Sequence, residues 1–300
     1  MKVRKVRPKR LKRILAYQAF LIPAVIIYLV FFIYPMIISI TYSFTSMHFA
    51  RLEWGFVGFE NYIRLFTEAE VSTAITNTIY FAFFSTVFVN ILALFIAICF
   101  DHKFRGANLL RMFIFAPAVI GGLIVGYAWT FVLSSSQHGL ANVFLAIINV
   151  GPISWFGDVR FAMNSIIFVY IWQWTGWCMV IYQANLQTIP EEYYEAAAID
   201  GASVIQRVFR ITLPNMVTSV TINSVLFMIG GLRVYDIIIA TTRGGPGYAT
   251  ETFTTVLVRT IFGMNQFGYG SAIAVVLFLV ILAVTLVQLV ILNIWEKKVT

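Results

Sequence analysis

The chain has 300 residues, 60% of them hydrophobic and 11% charged, with a mean hydropathy of +0.86 and a net charge of +8. A soluble domain carries about 25% charged residues, and a soluble chain of this length encloses too little interior to hide so much apolar surface. An ordinary soluble domain is therefore excluded. Disorder is excluded too, because it requires low hydrophobicity. Lipid must cover the chain, so the unit of counting becomes the membrane span.

Residues 1–14 form a basic tail with eight Lys or Arg side chains. Beside an apolar segment, such a tail suits anionic lipid headgroups better than nucleic acid. Stretches free of Asp, Glu, Lys and Arg then follow over 14–50, 71–100, 112–157, 161–190, 211–232 and 260–295. A helix needs about 20 apolar residues to cross the hydrocarbon core. Open strands would leave backbone groups unpaired in lipid, and barrel strands are shorter and alternate in polarity. The pattern predicts six helices, near 15–44, 74–100, 110–133, 161–186, 214–239 and 269–294. The first, bent at Pro23 and Pro35, is too long for a removable leader and reads as a permanent anchor. Cys99 and Cys178 lie in apolar runs and read as core filling, with no disulfide or metal pattern.

Counting Lys and Arg, 15 fall on the side of the two termini and five on the other: Arg51, Arg64, Arg160, Arg243 and Arg259. The positive-inside rule then places both termini in the cytoplasm. Loops near 45–73, 134–160 and 240–268 become external. The third charge-free run is interrupted by a loop read as polar, Ser134 to Gly151. Trp54, Trp155 and Trp295 fit an interfacial belt. His48, His102 and His138 fall in loops without a chemical pattern.

The loop at 187–214, QTIPEEYYEAAAIDGASVIQRVFRITLP, is predicted to be cytoplasmic and structured. Thr188 and Glu191 have capping-box spacing, and Pro190 suits a first turn. Tyr194, Ala197 and Ala198 share a helix face. Gly201 supplies the stop. Ser203 and Gln206 are spaced to cap a second helix carrying Val204, Val208 and Ile211, with Leu213-Pro214 opening the fifth span. Lipid-surface helices favour Lys and Arg. Here Glu191, Glu192, Glu195 and Asp200 make the first half acidic, which suits protein docking better.

Within this loop, Glu195-Ala196-Ala197, then Gly201, then Ile211-Thr212-Leu213-Pro214 meets every position of the EAA signature of ABC importer permeases. GFENY at 58–62, SWFGD at 154–158 and Thr242-x-Gly244-Gly245-Pro246-x-x-x-Thr250 resemble the carbohydrate branch. The chain is similar, over about 15–295, to the larger permease subunit of the maltose and glycerol-3-phosphate importers, without that maltose subunit's extra N-terminal spans and large external insertion. The resemblance implies an all-α membrane protein with the type I ABC importer permease fold: a tail (1–14), a six-span permease domain (15–295) and a short C-terminus (296–300).

It also implies a bacterial inner-membrane location and a set of partners: a sister permease, two ATPase subunits, an extracellular or periplasmic sugar-binding protein, and a carbohydrate. The chain would bind no cofactor. It has no GxxxxGK[ST] phosphate cradle, so ATP and Mg belong to the ATPases and the chain is not itself an enzyme. Glu195, Ala196, Ala197, Asp200, Gly201, Leu213 and Pro214 would couple to the ATPase. Laid without gaps over the maltose subunit, its sugar-contacting positions fall on Tyr170, Gln173, Trp174, Phe227, Gly231 and Val234. Alignment by the proline of APAVIGG adds Ala118 and Gly122.

Several of these residues have a plainer reading. Gln173 and Trp174 also fit helix packing, and Gly122 with Gly126 forms a GxxxG packing pair. Arg233 and Asp236, three apart, would pair as a gate or latch, with Gly244, Gly245 and Pro246 shaping the adjacent loop. A membrane enzyme is disfavoured by the lack of HExxH and GxSxG. A secondary carrier is disfavoured by the lack of a clear inverted repeat and by the small number of titratable residues in the spans that could carry a proton or sodium ion. The alternative solute class is non-carbohydrate, such as a glycerol phosphate or a polyamine.

Overall fold

The computed structural model describes residues 20–49, 55–101 and 105–299. The basic tail, Arg51, Trp54, His102 and Lys103 lie outside the described residues, and with them much of the charge asymmetry used for orientation. In chain order the helices are α1 (Phe20–Tyr42), α2 (Glu60–Thr67), α3 (Ala69–Cys99), α4 (Ala107–Val119), α5 (Gly122–Val132), α6 (Leu140–Ile147) and α7 (Val159–Leu186). There follow α8 (Glu191–Ile199), α9 (Val204–Asn215), α10 (Val217–Leu232), α11 (Asp236–Thr241), α12 (Phe253–Gly263) and α13 (Phe267–Val299). Among the described residues there is no strand, only one isolated bridge, Thr45 to Phe56.

Among the described residues four helices are long and apolar enough to cross a membrane: α1, α3, α7 and α13. The number rises to six if α4 with α5, and α9 with α10, each count as one span. These two pairs differ from the single helices predicted near 110–133 and 214–239. The first is bent by 104° at Ile120–Gly121 and the second by 68° at Met216. Tandem glycines, Gly121 and Gly122, weaken the first at its middle. The fifth predicted span also ends early, at Leu232 instead of near 239. Arg233 closes it with its N–H on the Ile229 and Gly230 carbonyls, and α11 starts afresh at Asp236.

The described chain divides into two compact units, and α13 contributes to both. One comprises residues to Leu65 with Thr260–Val276. Its α1 buries none of its most apolar stretch, as expected of a helix that faces lipid. The GFENY segment organises the chain leaving α1. Buried Asn61 donates from Nδ2 to the Ser43 and Thr45 carbonyls at 2.9 and 3.0 Å, and the Tyr62 and Ser43 hydroxyls lie 2.6 Å apart. Arg64 donates to Gln266 Oε1 at 2.8 Å and lies over the Tyr269 ring.

The second unit, Phe66–Arg259 with the chain from Leu277, is built around α7, whose most apolar stretch is 61% buried. Phe81 and Val89 of α3, Ile166, Met179 and Tyr182 of α7, and Phe227 of α10 share its core. With lipid as the competing solvent, close packing and interhelical hydrogen bonds supply the association, because expulsion of water does not. The Tyr182 hydroxyl accordingly donates to Asn90 Oδ1 at 2.5 Å, joining α7 to α3. Cys178 is buried in this core as expected, whereas Cys99, at the end of α3, is exposed.

The loop expected to be polar at 134–151 contains the apolar helix α6, with Phe144 and Ile147 about 70% exposed. The loop expected at 240–268 contains α12. Asn142 organises the first of these. Its Nδ2 donates to the Ser134, Ser136 and Ile153 carbonyls, and its Oδ1 accepts from the Ile153 N–H and from Trp155 Nε1. Trp155 therefore has a structural role besides any interfacial one. Beyond it, Asp158 caps α7 by accepting from the Arg160 N–H at 2.9 Å and pairs with the Arg160 guanidinium at 2.7 Å. These bonds hold the Asp158 carboxyl well down, to about 2.

Candidate functional site

The predicted helix-turn-helix exists as α8 and α9. Its turn is a Schellman motif. Gly201 takes φ +77°, the Ala202 N–H bonds the Ala197 carbonyl at 2.9 Å, and the Gly201 N–H bonds the Ala198 carbonyl at 3.1 Å. The second helix opens with the expected capping box, Ser203 N–H to Gln206 Oε1 at 2.8 Å and Gln206 N–H to Ser203 Oγ at 3.3 Å. The box expected at Thr188 and Glu191 is not formed. The Thr188 hydroxyl donates back to the Asn185 carbonyl at 2.7 Å, and α8 starts directly after Pro190. Pro190 supplies no N–H and an extended ψ, which places the break there.

The two helices are joined by the hydroxyls of Tyr194 and Thr212, 3.0 Å apart, with Thr212 buried. Val208–Thr212 is a π turn, in which the Leu213 N–H reaches the Val208 carbonyl. Leu213-Pro214 was expected to open the fifth span. Pro214 instead continues α9, and the direction changes two residues later at Met216. Glu195, Ala196 and Asp200 are exposed and Ala197 is half-buried. Exposed apolar side chains accompany them: Ile199, Ile205 and Phe209. A cavity of about 670 Å³ opens beside this unit, lined among others by Asp101, Glu191, Tyr194, Glu195 and Arg207.

The eight positions proposed for the pathway are spread across the second unit. Tyr170, Trp174 and Phe227 do meet, in an aromatic cluster that also includes Trp177. Trp177 lies edge-on to both Trp174 and Phe227, at 6.5 and 5.8 Å between centroids, and is the member missed from sequence. Its signal was the i, i+3 spacing from Trp174.

Gln173 is 1% exposed, and its Nε2 donates to the Ile120 carbonyl at 2.9 Å. That carbonyl lies at the α4–α5 bend, so Gln173 ties α7 to the bend in this structure. Gly231 packs against α3; a Cβ there would lie 2.7 Å from Ala82 Cα. Buried Val234 gives its carbonyl to Thr252 Oγ1 at 3.1 Å. Ala118 is half-buried near the end of α4. Gly122 faces Asp236 Cβ, and Gly126 faces Ala240 so closely that an added Cβ would lie 2.5 Å from its Cβ. The GxxxG pair is therefore the contact of α5 with α11. None of the eight lines the cavity beside α8, nor the cavity of about 600 Å³ among Trp129, Phe144, Trp155, Phe161 and Phe168.

Arg233 and Asp236 are exposed and, among the described residues, form no ion pair with each other. The helix they were expected to share ends between them, which removes the i, i+3 geometry. The adjoining loop is closely tied. Thr250 Oγ1 donates to the Gly245 carbonyl at 2.7 Å and lies 2.6 Å from Thr242 Oγ1. Gly244 adopts φ +92°, and Gly245 and Pro246 are joined by a cis peptide. Asn77 Nδ2 on α3 donates to the Tyr248 and Glu251 carbonyls. Buried Glu251 pairs with Arg259 at 2.8 Å, and Arg259 also pairs with Glu70. Burial pushes the Glu251 carboxyl up to about 7. Among the described residues no group of three or more His, Cys, Asp or Glu is arranged to hold a metal.

This fold is that of type I ABC importer permeases. It superposes with a TM-score of 0.83 on a chain of a bacterial ABC transporter that imports the acidic polysaccharide alginate, at 24% identity over 97% of this chain and 98% of that one. It also superposes, with a TM-score of 0.81, on a chain of an alginate transporter solved with its pentasaccharide-bound periplasmic protein, at 24% identity over 93% of this chain and 94% of that one.

Residues 89–299 match the family described as binding-protein-dependent transport system inner membrane component, and the chain belongs to that family. It is 33% identical over 269 residues to the trehalose/maltose transport system permease protein MalF of Thermococcus litoralis, covering 90% of each chain. It is 34% identical over 271 residues to the multiple sugar-binding transport system permease protein MsmF of Streptococcus mutans, covering 90% of this chain and 92% of that one.

Proposed function

We propose that the chain is the sugar-conducting permease of a binding-protein-dependent importer, forms half of its translocation pathway and takes oligosaccharides. Relatives at about one-third identity over nine-tenths of the chain carry trehalose, maltose and multiple-sugar designations. The sugar assignment rests on them and is preferred to a glycerol phosphate or a polyamine. In this reading the bent pairs α4–α5 and α9–α10 are single spans, giving six in all, with both termini cytoplasmic. A sister permease completes the pathway, and a periplasmic or extracellular protein delivers the sugar. Two ATPase subunits hold ATP and Mg and hydrolyse the nucleotide; this chain does not.

The observation that carries the coupling role is the geometry of α8 and α9. The Schellman turn at Gly201 and the Ser203–Gln206 box fix two helices at one angle. They present exposed Glu195, Ala196 and Asp200 beside exposed Ile199, Ile205 and Phe209. Apolar side chains rimmed by carboxylates suit burial against a protein better than exposure to water. Gly201 sets the turn, Ala197 keeps the first helix slim, and Leu213 and Pro214 carry the second toward α10.

For the pathway, Trp174, Trp177, Tyr170 and Phe227 offer aromatic faces to the apolar side of a sugar ring, with Ala118, Gly122, Gly231 and Val234 shaping the walls. Gln173 holds the α4–α5 bend and acts on the pathway through it. Arg233, Asp236 and the Gly244–Pro246 loop form the gate region.

The test is ATPase stimulation and uptake in proteoliposomes holding the permease, sister permease, ATPases and binding protein, against a panel of maltodextrins, trehalose and arabino-oligosaccharides. Binding-protein-dependent stimulation by one sugar is the expected result. Stimulation by a non-sugar solute alone would overturn the carbohydrate assignment. Transport by the chain alone without ATP would overturn the importer reading.

A further inference from the structure

We propose that Tyr194 and Asn215 are positioning residues that fasten α8 and α9 into one lever, with Met216 as its pivot against α10. The inference rests on the coupling role given above to the helix-turn-helix.

The argument starts from Pro214. In a regular α-helix its N–H would serve the Arg210 carbonyl, but proline has none and its ring collides with the carbonyl four residues back. The chain relieves the collision by widening into the π turn Val208–Thr212, where Leu213 bonds five residues back to Val208. Regular i−4 bonding resumes after the π turn, with Leu213–Asn215 α-helical. Asn215 adds a side-chain bond across the junction, Nδ2 to the Ile211 carbonyl at 2.7 Å. Asn215 therefore locks the last turn of α9 onto the π turn.

The second fastener engages the last residue of the same π turn. Thr212 is 3% exposed, and its hydroxyl lies 3.0 Å from that of Tyr194 on α8. With its turn closed at Gly201 and its far ends braced at Tyr194–Thr212, the helix-turn-helix is a closed triangle. Immediately after Asn215 the regularity fails. The Met216 N–H is shared between the Thr212 and Leu213 carbonyls at 3.1 Å each, and the axis turns by 68°. Force applied to the exposed face of α8 thus passes undiminished to Asn215, and any change of angle is taken up at Met216.

The test uses the complex assembled with sister permease and ATPases in nanodiscs, in a Cys99→Ser background. Spin labels are placed at Ile199→Cys and Leu226→Cys, both exposed positions. The distance distribution is measured without nucleotide and with ATP and vanadate. The expected result is one narrow distance in each state, at two different values. Tyr194→Phe, which removes only the hydroxyl, and Asn215→Ala should each at least double the width and blur the two states together. The basal ATPase rate should stay within twofold. Thr212→Val should broaden the distribution as Tyr194→Phe does, and the double variant should add nothing further.

Unchanged narrow distributions in Tyr194→Phe and Asn215→Ala would overturn the proposal. A separate cross-link from Ile199→Cys to an ATPase lysine checks the underlying reading. If no cross-link forms, the docking role fails and the lever falls with it. If it forms while the distributions stay narrow, only the lever fails.

Discussion

The Gln173 side-chain amide donates across the α4–α5 bend to the Ile120 carbonyl at 2.9 Å. Gln173 is almost fully buried, and the bend frees a carbonyl that the helix no longer serves. Leaving such a group unpaired costs about 1–3 kcal/mol. Gln173→Leu should lower the thermal midpoint of the purified permease by several degrees in detergent. Asn, too short to reach, should not rescue it. An unchanged midpoint would return Gln173 to the sugar.

Gly126 and Ala240 form a contact with no room for a methyl group, since an added Cβ would sit 2.5 Å from the Ala240 Cβ. Gly126→Ala should destabilise by about 1–3 kcal/mol through overpacking. Adding Ala240→Gly should recover at least half of that loss, because the two side chains compete for one space. A double variant no more stable than Gly126→Ala would show that α5 and α11 do not approach in this way.

Glu251 sets a pH dependence whose sign can be worked out. Arg259 is shared between Glu251 and Glu70, so burial dominates and raises the Glu251 carboxyl from 4.5 to about 7. Between those values the folded chain binds more protons than the unfolded one, so stability falls as pH rises through that window. It is highest, as far as this group is concerned, below about 4.5. Thermal midpoints of the wild type and Glu251→Gln should converge near pH 5 and separate by pH 8, the variant being the more stable. A wild-type profile no steeper than that of Glu251→Gln would contradict the assignment.

Glu195→Arg reverses an exposed charge on α8. It should leave membrane insertion and thermal stability unchanged while cutting ATP-driven uptake by about tenfold or more, the equivalent of ~1.4 kcal/mol in docking. Co-purification of the ATPase separates lost docking from lost expression. Normal uptake by the stably expressed variant would remove Glu195 from the coupling role.

Features carried by neighbouring residues were legible in the sequence. The turn at Gly201 and the Ser203–Gln206 box each act over no more than six residues, so spacing alone specifies them. The long apolar runs of α3, α7 and α13 were equally plain, because length and lack of charge are what hydropathy measures. Direction is invisible to that measure. The bends at Ile120 and Met216 leave apolarity uninterrupted, so two broken helices read as straight ones. The Arg233–Asp236 pair was inferred from a helix assumed to continue past Leu232. Once the helix stopped there, the i, i+3 geometry that would pair them was lost. Thr188 misled similarly: the capping spacing was right, but Pro190 set the start and left Thr188 to Asn185. Gln173 was ambiguous for another reason. Its partner Ile120 lies 53 residues away and offers only a carbonyl, a group every residue has.

The contacts of Asn77 bear on how this permease diversifies. Its amide holds the Tyr248 and Glu251 carbonyls, backbone atoms whose positions are independent of the side chains attached. Inheritance can therefore rewrite the exposed side chain of Tyr248 with little cost to the frame, while Asn77, and Gly247 at φ +59°, stay fixed. Related chains would then differ at residue 248 and agree at residue 77, with adaptation and constraint assigned to separate positions.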